Sequence, residues 1–295
     1  MPSPLELFQQ TSLDLVRRAI GLDGQPVSPC MDEELAYQPL DAVSRIVHVD
    51  LPSMVIGGIA SLFLQLLHPL VVAGVDDHSR YQTDPLGRLE ATGKFLAITT
   101  YGNKDEAAAE IARVKKIHSY ITGQATIDQE NSQSYAASSS ELLEWVHLAE
   151  TLMFATAFDH YGPRRLTGPE RNRYVAEMGA VAADLGVANP SVDSLELRDR
   201  LQDYRPTLQL TDAGRRTRDF LFRGPYRGPR RIGYDIVVDA ALDLLPVWAL
   251  ELLGLPANTP AERRKVRRRA KKLSWLLRAM TAPAHPVNQA TRQLA

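Results

Sequence analysis

Three polar side chains on two neighbouring segments have the types and the spacing to act on a bound molecule. Arg88 and Thr92 are four residues apart, so they share one face of the helix predicted after Asp84. His118 falls on the apolar stripe of a second predicted helix, where it points inward. A neutral imidazole is a common metal ligand, and a cation beside a hydroxyl can stabilise negative charge in an apolar pocket. The pattern therefore indicates a ligand site between the two helices.

Two helices joined by a tight turn must position these residues. Asp84 is predicted to cap the start of the first helix, and Gly102 is predicted to end it in a left-handed conformation. Asn103 and Glu106 have the spacing of a capping box at the start of the second helix. Gly123 is predicted to end that helix in the same way as Gly102 ends the first.

Arg88 and His118 are equally far along the chain from Asn103. In an antiparallel hairpin they would stand at the same height, about 22 Å from the turn, on helix axes about 8–10 Å apart. A flat ligand could then lie between them if the helices splay. Two purely structural alternatives stay open: a core histidine bonded to a neighbour, and an inner arginine paired with a carboxylate, because an unpaired buried charge is costly.

Three sequence blocks occur in order: LLHPLVVAGVDDHSRYQTDPLGRLEATGKFLAITTYG, IHSYITG and ELLEWVH. These blocks resemble the actinobacterial branch of the superfamily that contains the latex clearing rubber oxygenases and the fungal oxygenase MpaB. The resemblance runs from about residue 43 to about residue 158, with a weaker similarity in LLPVWALELLGLP near the C-terminus.

The resemblance implies an all-helical protein that binds haem b through one axial histidine and cleaves carbon–carbon double bonds with dioxygen. It implies His118 as the iron ligand, with Arg88 and Thr92 on the distal side. Rubber-cleaving members carry a lysine just before that threonine, whereas Ala91 stands here. The substrate therefore need not be a polymer.

The length of 295 residues is sufficient for one large buried core. We expect a single all-α domain over 1–295, with the family core at about 43–158 and C-terminal helices in 167–281 packing on it. The chain is net acidic up to residue 163 and net basic after it. The only cysteine, Cys30, excludes an intramolecular disulfide and a cysteine-rich metal site.

The N-terminal residues 4–20 are predicted to form an amphipathic helix. Glu6, Asp14 and Arg17 interrupt its apolar residues, so we do not expect a secretory signal. We expect a cytoplasmic location. The sequence contains no glycine-rich phosphate loop, no His-Glu-x-x-His pair and no nucleophile elbow. Hydrolytic and nucleotide-dependent chemistry therefore lack support, and a nucleic-acid partner is not expected.

The stretch Leu51–Val75 carries no charged side chain and is long enough to span a membrane. Pro69 would interrupt a single helix, and Gly57 and Gly58 suit close packing. We therefore predict a buried core helix followed by a second short one, and no membrane association.

A strong helix is predicted over Ser138–Tyr161, with His147 and Glu150 one turn apart on one face. The two side chains are expected to form an internal pair; alternatively they line the haem pocket, with His147 anchoring a propionate. No strand is predicted. Further helices are predicted over 167–186, 194–204 and 211–222, over 230–253 with a bend at Pro246, and from Thr259 onward.

The last predicted helix carries many cations around a stripe of small and aliphatic residues. We expect it to dock on the fold with a solvated basic face, because a membrane-surface helix would carry bulkier apolar residues than Ala270.

These observations together predict a haem b-dependent oxygenase that acts on an apolar or aromatic small molecule with dioxygen. Two alternatives remain at this stage. One is a non-catalytic haem-binding sensor or ligand-binding protein, and the other is a haem-free scaffold in which Arg88 is salt-bridged.

Overall fold

The computed structural model describes residues 27–79, 83–128 and 130–281, and the predicted helix at 4–20 lies outside them. The described residues are mostly helical, which confirms the all-α fold. The helices are α1 Val43–His48, α2 Leu51–Gln65, α3 Pro69–His78, α4 Pro85–Tyr101, α5 Lys104–Ser119, α6 Ser140–Tyr161, α7 Gly168–Leu185, α8 Ser194–Asp203, α9 Asp212–Arg223, α10 Pro229–Leu244, α11 Val247–Leu252 and α12 Pro260–Thr281. Two short strands, β1 Thr122–Thr126 and β2 Ser132–Ala136, lie between α5 and α6.

The centre of the core is the packing of α2 along α6, and α10 also packs against α2. Trp145, Phe63 and Leu148 are fully buried there. Gly57 permits the close approach, since a Cβ atom at this position would lie 2.9 Å from Phe154 Cδ1 and 3.0 Å from the Met153 carbonyl oxygen.

Replacing Gly57 with alanine is expected to destabilise the fold by about 1–3 kcal/mol, because the added methyl group meets backbone atoms that cannot move aside. Gly58→Ala is the matched control, since its Cβ would meet only Phe154 Cε1 at 3.7 Å, an ordinary contact. The stability of that variant should be unchanged or higher by up to about 1 kcal/mol, because alanine has a higher helix propensity than glycine. Urea unfolding of both variants measures the difference, and equal effects would contradict the close α2–α6 packing.

The predicted break before Pro69 is confirmed. α2 and α3 meet at 109° after a turn at residues 66–68. No single helix in the described ranges is long and apolar enough to cross a membrane, although the bent pair of α2 and α3 reaches the required length and composition.

The prediction of no strands was wrong. β1 and β2 form an antiparallel hairpin that packs on α3. Gly123 lies in β1 and does not end α5, which stops at Ser119. A Cβ at Gly123 would lie 2.6 Å from Tyr135 Oη, so glycine is required there by the tyrosine on the opposite strand.

Three other boundaries differ from the sequence prediction. Gly102 ends α4 in an extended conformation (φ −72°, ψ 172°) and not a left-handed one. The N-cap of α6 is Ser139 and not Ser138. The predicted bent helix over 230–253 is two helices, because Leu245 and Pro246 are both extended and separate α10 from α11.

α12 is held on the fold by ion pairs with buried carboxylates. The side chain of Asp243 is completely buried and accepts hydrogen bonds from Arg263 Nε at 3.2 Å and Arg267 Nε at 2.7 Å. Near the other end of α12, Arg278 makes a two-point pair with Asp50, at 2.5 and 2.7 Å. The last helix therefore docks through one face, as the sequence predicts.

Candidate functional site

The hairpin of α4 and α5 is fixed at its closed end. Asn103 and Glu106 form the predicted capping box: Asn103 Oδ1 accepts from the Glu106 N–H at 2.8 Å, and Glu106 Oε2 accepts from the Asn103 N–H at 3.0 Å. Thr100 Oγ1 lies 2.7 Å from His48 Nδ1, and the Tyr101 hydroxyl donates to the Arg45 carbonyl oxygen at 2.9 Å. These contacts hold the C-terminal end of α4 against α1.

The open end of the hairpin is much less packed. The first buried side chain along the described part of α4 is Leu96. Three large side chains with apolar surface are exposed toward this end: Leu89 at 37%, Ile117 at 45% and Tyr120 at 72%. Apolar side chains are therefore exposed on both helices of the hairpin toward this end.

His118 lies in the last turn of α5 and is half-buried. Its ring forms no hydrogen bond with any residue that the structure describes. Burial lowers its pKa, although the C-terminal end of a helix favours a cation. The imidazole is therefore neutral at neutral pH and has a nitrogen lone pair available to bind a metal.

Arg88 lies near the start of α4 and is half-buried. Its Nη1 donates a hydrogen bond to Ser79 Oγ at 2.7 Å, in the connection after α3. Its positive charge also acts on Glu150 of α6 and lowers the pKa of that carboxyl. The guanidinium is thus directed toward the protein interior, as its predicted face requires.

Thr92 departs from the sequence prediction. It was predicted on a buried face with Arg88, but its side chain is exposed. The reason is that this half of α4 extends beyond the packed part of the hairpin. Its hydroxyl is accessible to a ligand.

Glu150 is the most perturbed acid near the site. Gln65 Nε2 lies 3.5 Å from its Oε1, and the same amide lies 3.4 Å from Ser61 Oγ. Burial raises the pKa of Glu150 to about 7, and the Gln65 hydrogen bond and the Arg88 charge offset only part of that rise. Near neutral pH the carboxyl is therefore partly protonated and can give or accept a proton.

His147 does not form the predicted pair with Glu150. Its Nδ1 lies 3.3 Å from Thr151 Oγ1, one turn along α6. Its Nε2 is buried and has no hydrogen-bond partner among the described residues. Burial lowers the pKa of His147 to about 4, so the ring is neutral. A buried ring nitrogen without a partner is costly, which makes His147 a candidate to bind a polar group of a ligand.

Two further histidines lie at the two ends of α3 and have other surroundings. His68 is only 2% exposed, and its ring packs against Trp145 and Tyr204. His78 is exposed, and its Nε2 lies 3.1 Å from the Thr122 carbonyl oxygen of β1.

Arg88 lies near enough to Glu150 for its charge to lower the pKa of that carboxyl. Arg88 is hydrogen-bonded to Ser79, and Glu150 accepts from Gln65. His118 forms no hydrogen bond with Arg88 or Thr92. Sequence reasoning missed the roles of Ser79 and Gln65. The signal for Gln65 was a long polar side chain in an otherwise apolar stretch. The described residues hold no group of three or more His, Cys, Asp and Glu that could hold a metal ion.

A family model described as "ER-bound oxygenase mpaB/B'/Rubber oxygenase, catalytic domain" matches residues 45–280. No curated protein and no solved structure matches the chain. The matched span reaches well beyond the resemblance over 43–158 and extends into α12. It includes Arg88, Thr92, His118 and His147.

Proposed function

The chain belongs to the family of mpaB-type and rubber oxygenase catalytic domains, and on that premise we propose that it binds one haem b through His118 and oxidises an apolar or aromatic small molecule with dioxygen. The family makes the protein an oxygenase. The cofactor, its ligand and the substrate class are the proposal. The observation that carries it is the neutral imidazole of His118, which forms no hydrogen bond with a described residue.

The candidate residues have the chemistry that a haem group needs. One neutral imidazole is the donor that a five-coordinate haem needs. Exposed apolar surface on Leu89 and Ile117, which adjoin Arg88 and His118 in the chain, would be covered by a large apolar ring. The buried Nε2 of His147 is suited to a propionate, as a donor in the tautomer that carries its proton there.

Haem, when bound, would supply the redox chemistry that activates dioxygen. The protein would supply orientation and charge. Because Ser79 holds the Arg88 guanidinium, a positive charge is in place before a ligand arrives, and it can stabilise negative charge that develops on the oxidant. The accessible Thr92 hydroxyl can donate a further hydrogen bond, and Glu150 can exchange a proton near neutral pH.

The direct test is reconstitution of the purified protein with haemin, followed by oxygen-uptake measurements with a reductant and a panel of apolar and aromatic compounds. We expect one haem per chain, a Soret band, and oxygen uptake that rises with at least one class of compound. The absence of a Soret band after reconstitution would refute the haem assignment. Haem binding without any substrate-dependent uptake would support the sensor alternative.

A further inference from the structure

The outward face of α12 carries a cluster of cations that is not used to hold the helix in place. Arg263 and Arg267 face inward to Asp243. Five other cations are exposed, and none lies within ion-pairing distance of a described carboxylate. They are Arg264, Lys265, Arg268, Lys271 and Lys272.

Two large apolar side chains lie on the same face of α12. Trp275 is 68% exposed and Leu276 is 48% exposed. At 100° per residue, Trp275 lies within about 40° of Arg268 and Lys271, and Leu276 lies about 40° from Lys272. Neither belongs to the stripe around Ala270, from which the sequence argues against a membrane-surface helix. Ala270 is buried against the fold, and Trp275 and Leu276 are the bulkier apolar residues of the outward face. The exposed cations and the exposed apolar groups therefore form one surface.

A third apolar side chain extends this surface onto α10. Asp239 of α10 pairs with Arg269 of α12 at 3.6 Å. One turn later on α10, Asp243 pairs with Arg263 and Arg267, which come earlier on α12. The two helices are therefore antiparallel. Ile232 and Leu276 are each two turns from the Asp239–Arg269 pair, toward the same end. Ile232 is 62% exposed. The two side chains therefore stand at the same level on adjacent helices.

We propose that this surface of α10 and α12 docks the protein on an anionic lipid bilayer. The cations would lie at the charged headgroups, and Trp275, Leu276 and Ile232 would enter the boundary between headgroups and acyl chains. A nucleic acid would match the charges but would leave the aliphatic side chains of Leu276 and Ile232 in water. The proposal does not depend on the cofactor or on His118.

The test is sedimentation of the full-length protein with vesicles. One set contains phosphatidylcholine alone, and in the other about a third of the lipid is phosphatidylglycerol. We expect binding to the anionic vesicles only, weakening with added salt, together with a blue shift of tryptophan fluorescence that Trp275→Phe removes. Lys272→Glu should weaken binding about tenfold or more, because it removes one cation and adds an anion at the surface.

Matched controls separate this surface from net charge and general hydrophobicity. Lys116→Glu makes the same charge change at an exposed site on α5, and Leu195→Ala removes an exposed apolar side chain on α8. Both should bind like the parent protein, whereas Trp275→Ala should bind several-fold more weakly. Equal losses in Lys116→Glu and Lys272→Glu would overturn the proposal. Binding to heparin without a fluorescence shift on vesicles would also overturn it and indicate a polyanion partner.

Discussion

Replacing His118 with alanine is expected to reduce haem binding by at least about a hundredfold while helical content stays unchanged. Groups that only support a metal ligand already change metal affinity by about 10–100-fold, so loss of the ligand itself should cost more. The fold should tolerate the change, because the ring is half-buried and makes no hydrogen bond with a described residue. The Soret absorbance per chain after haemin titration, with circular dichroism for folding, measures both effects.

His160→Ala is the matched control for this experiment. His160 is a second half-buried histidine with a lowered pKa, but its Nδ1 lies 3.0 Å from the Thr156 carbonyl oxygen near the far end of α6. It should bind haem like the parent protein. His118→Gly should regain a Soret band when free imidazole is added, which a merely structural role would not allow. Full haem retention in His118→Ala, with an unchanged spectrum, would contradict the assignment and direct attention to His147.

The starts of α4, α5 and α7 were predictable from sequence because their chemistry is local. Asp84 and Asn103 cap α4 and α5 through side-chain oxygens that reach N–H groups three residues later. Thr167 does the same for α7 and completes a capping box with Glu170. Each of these contacts joins residues that are close in the chain, so the sequence pattern was sufficient to predict where these helices begin.

The β-hairpin was not predictable in the same way, because distant contacts determine it. Only Ala125 and Tyr135 are buried on its two strands, so there is no alternating apolar pattern to detect. Tyr135 is placed by its hydroxyl, which donates to Asp77 Oδ2 of α3 at 2.7 Å. The same ring explains Gly123, which looks like a helix terminator when only its sequence neighbours are considered.

The surroundings of the candidate site residues also depend on distant contacts. Helical periodicity places Arg88 and Thr92 on one face of α4, and of the two only Arg88 is half-buried. Periodicity cannot show where a helix leaves the core, and so the exposure of Thr92 was missed. Periodicity also cannot show which neighbour a side chain bonds to. His147 and Glu150 are one turn apart on α6, yet His147 contacts Thr151 and Glu150 contacts Gln65.

Glu150→Gln is expected to make the protein relatively more stable as the pH rises. Burial raises the pKa of Glu150 from 4.5 to about 7 in the folded state. Below pH 4.5 the carboxyl is protonated in both the folded and the unfolded chain, so no charge is buried on folding and stability is unaffected by this group. Between pH 4.5 and 7 the unfolded chain releases this proton more readily, and the parent protein loses stability. The loss approaches about 3 kcal/mol, since each pKa unit is worth about 1.4 kcal/mol.

Glutamine has nearly the same shape as a protonated glutamic acid and does not ionise, so the variant should escape this loss. Urea unfolding at pH 5 and at pH 8 gives the free energy of unfolding for both proteins, and the variant's advantage should grow between the two. Glu141→Gln removes one charge at an exposed position of the same helix and separates burial from net charge. An advantage of Glu150→Gln that does not change with pH would mean that Glu150 is fully ionised in the folded protein. The Arg88 charge would then dominate over burial, and Glu150 would hold that cation as an ion-pair partner and would not exchange a proton near neutral pH.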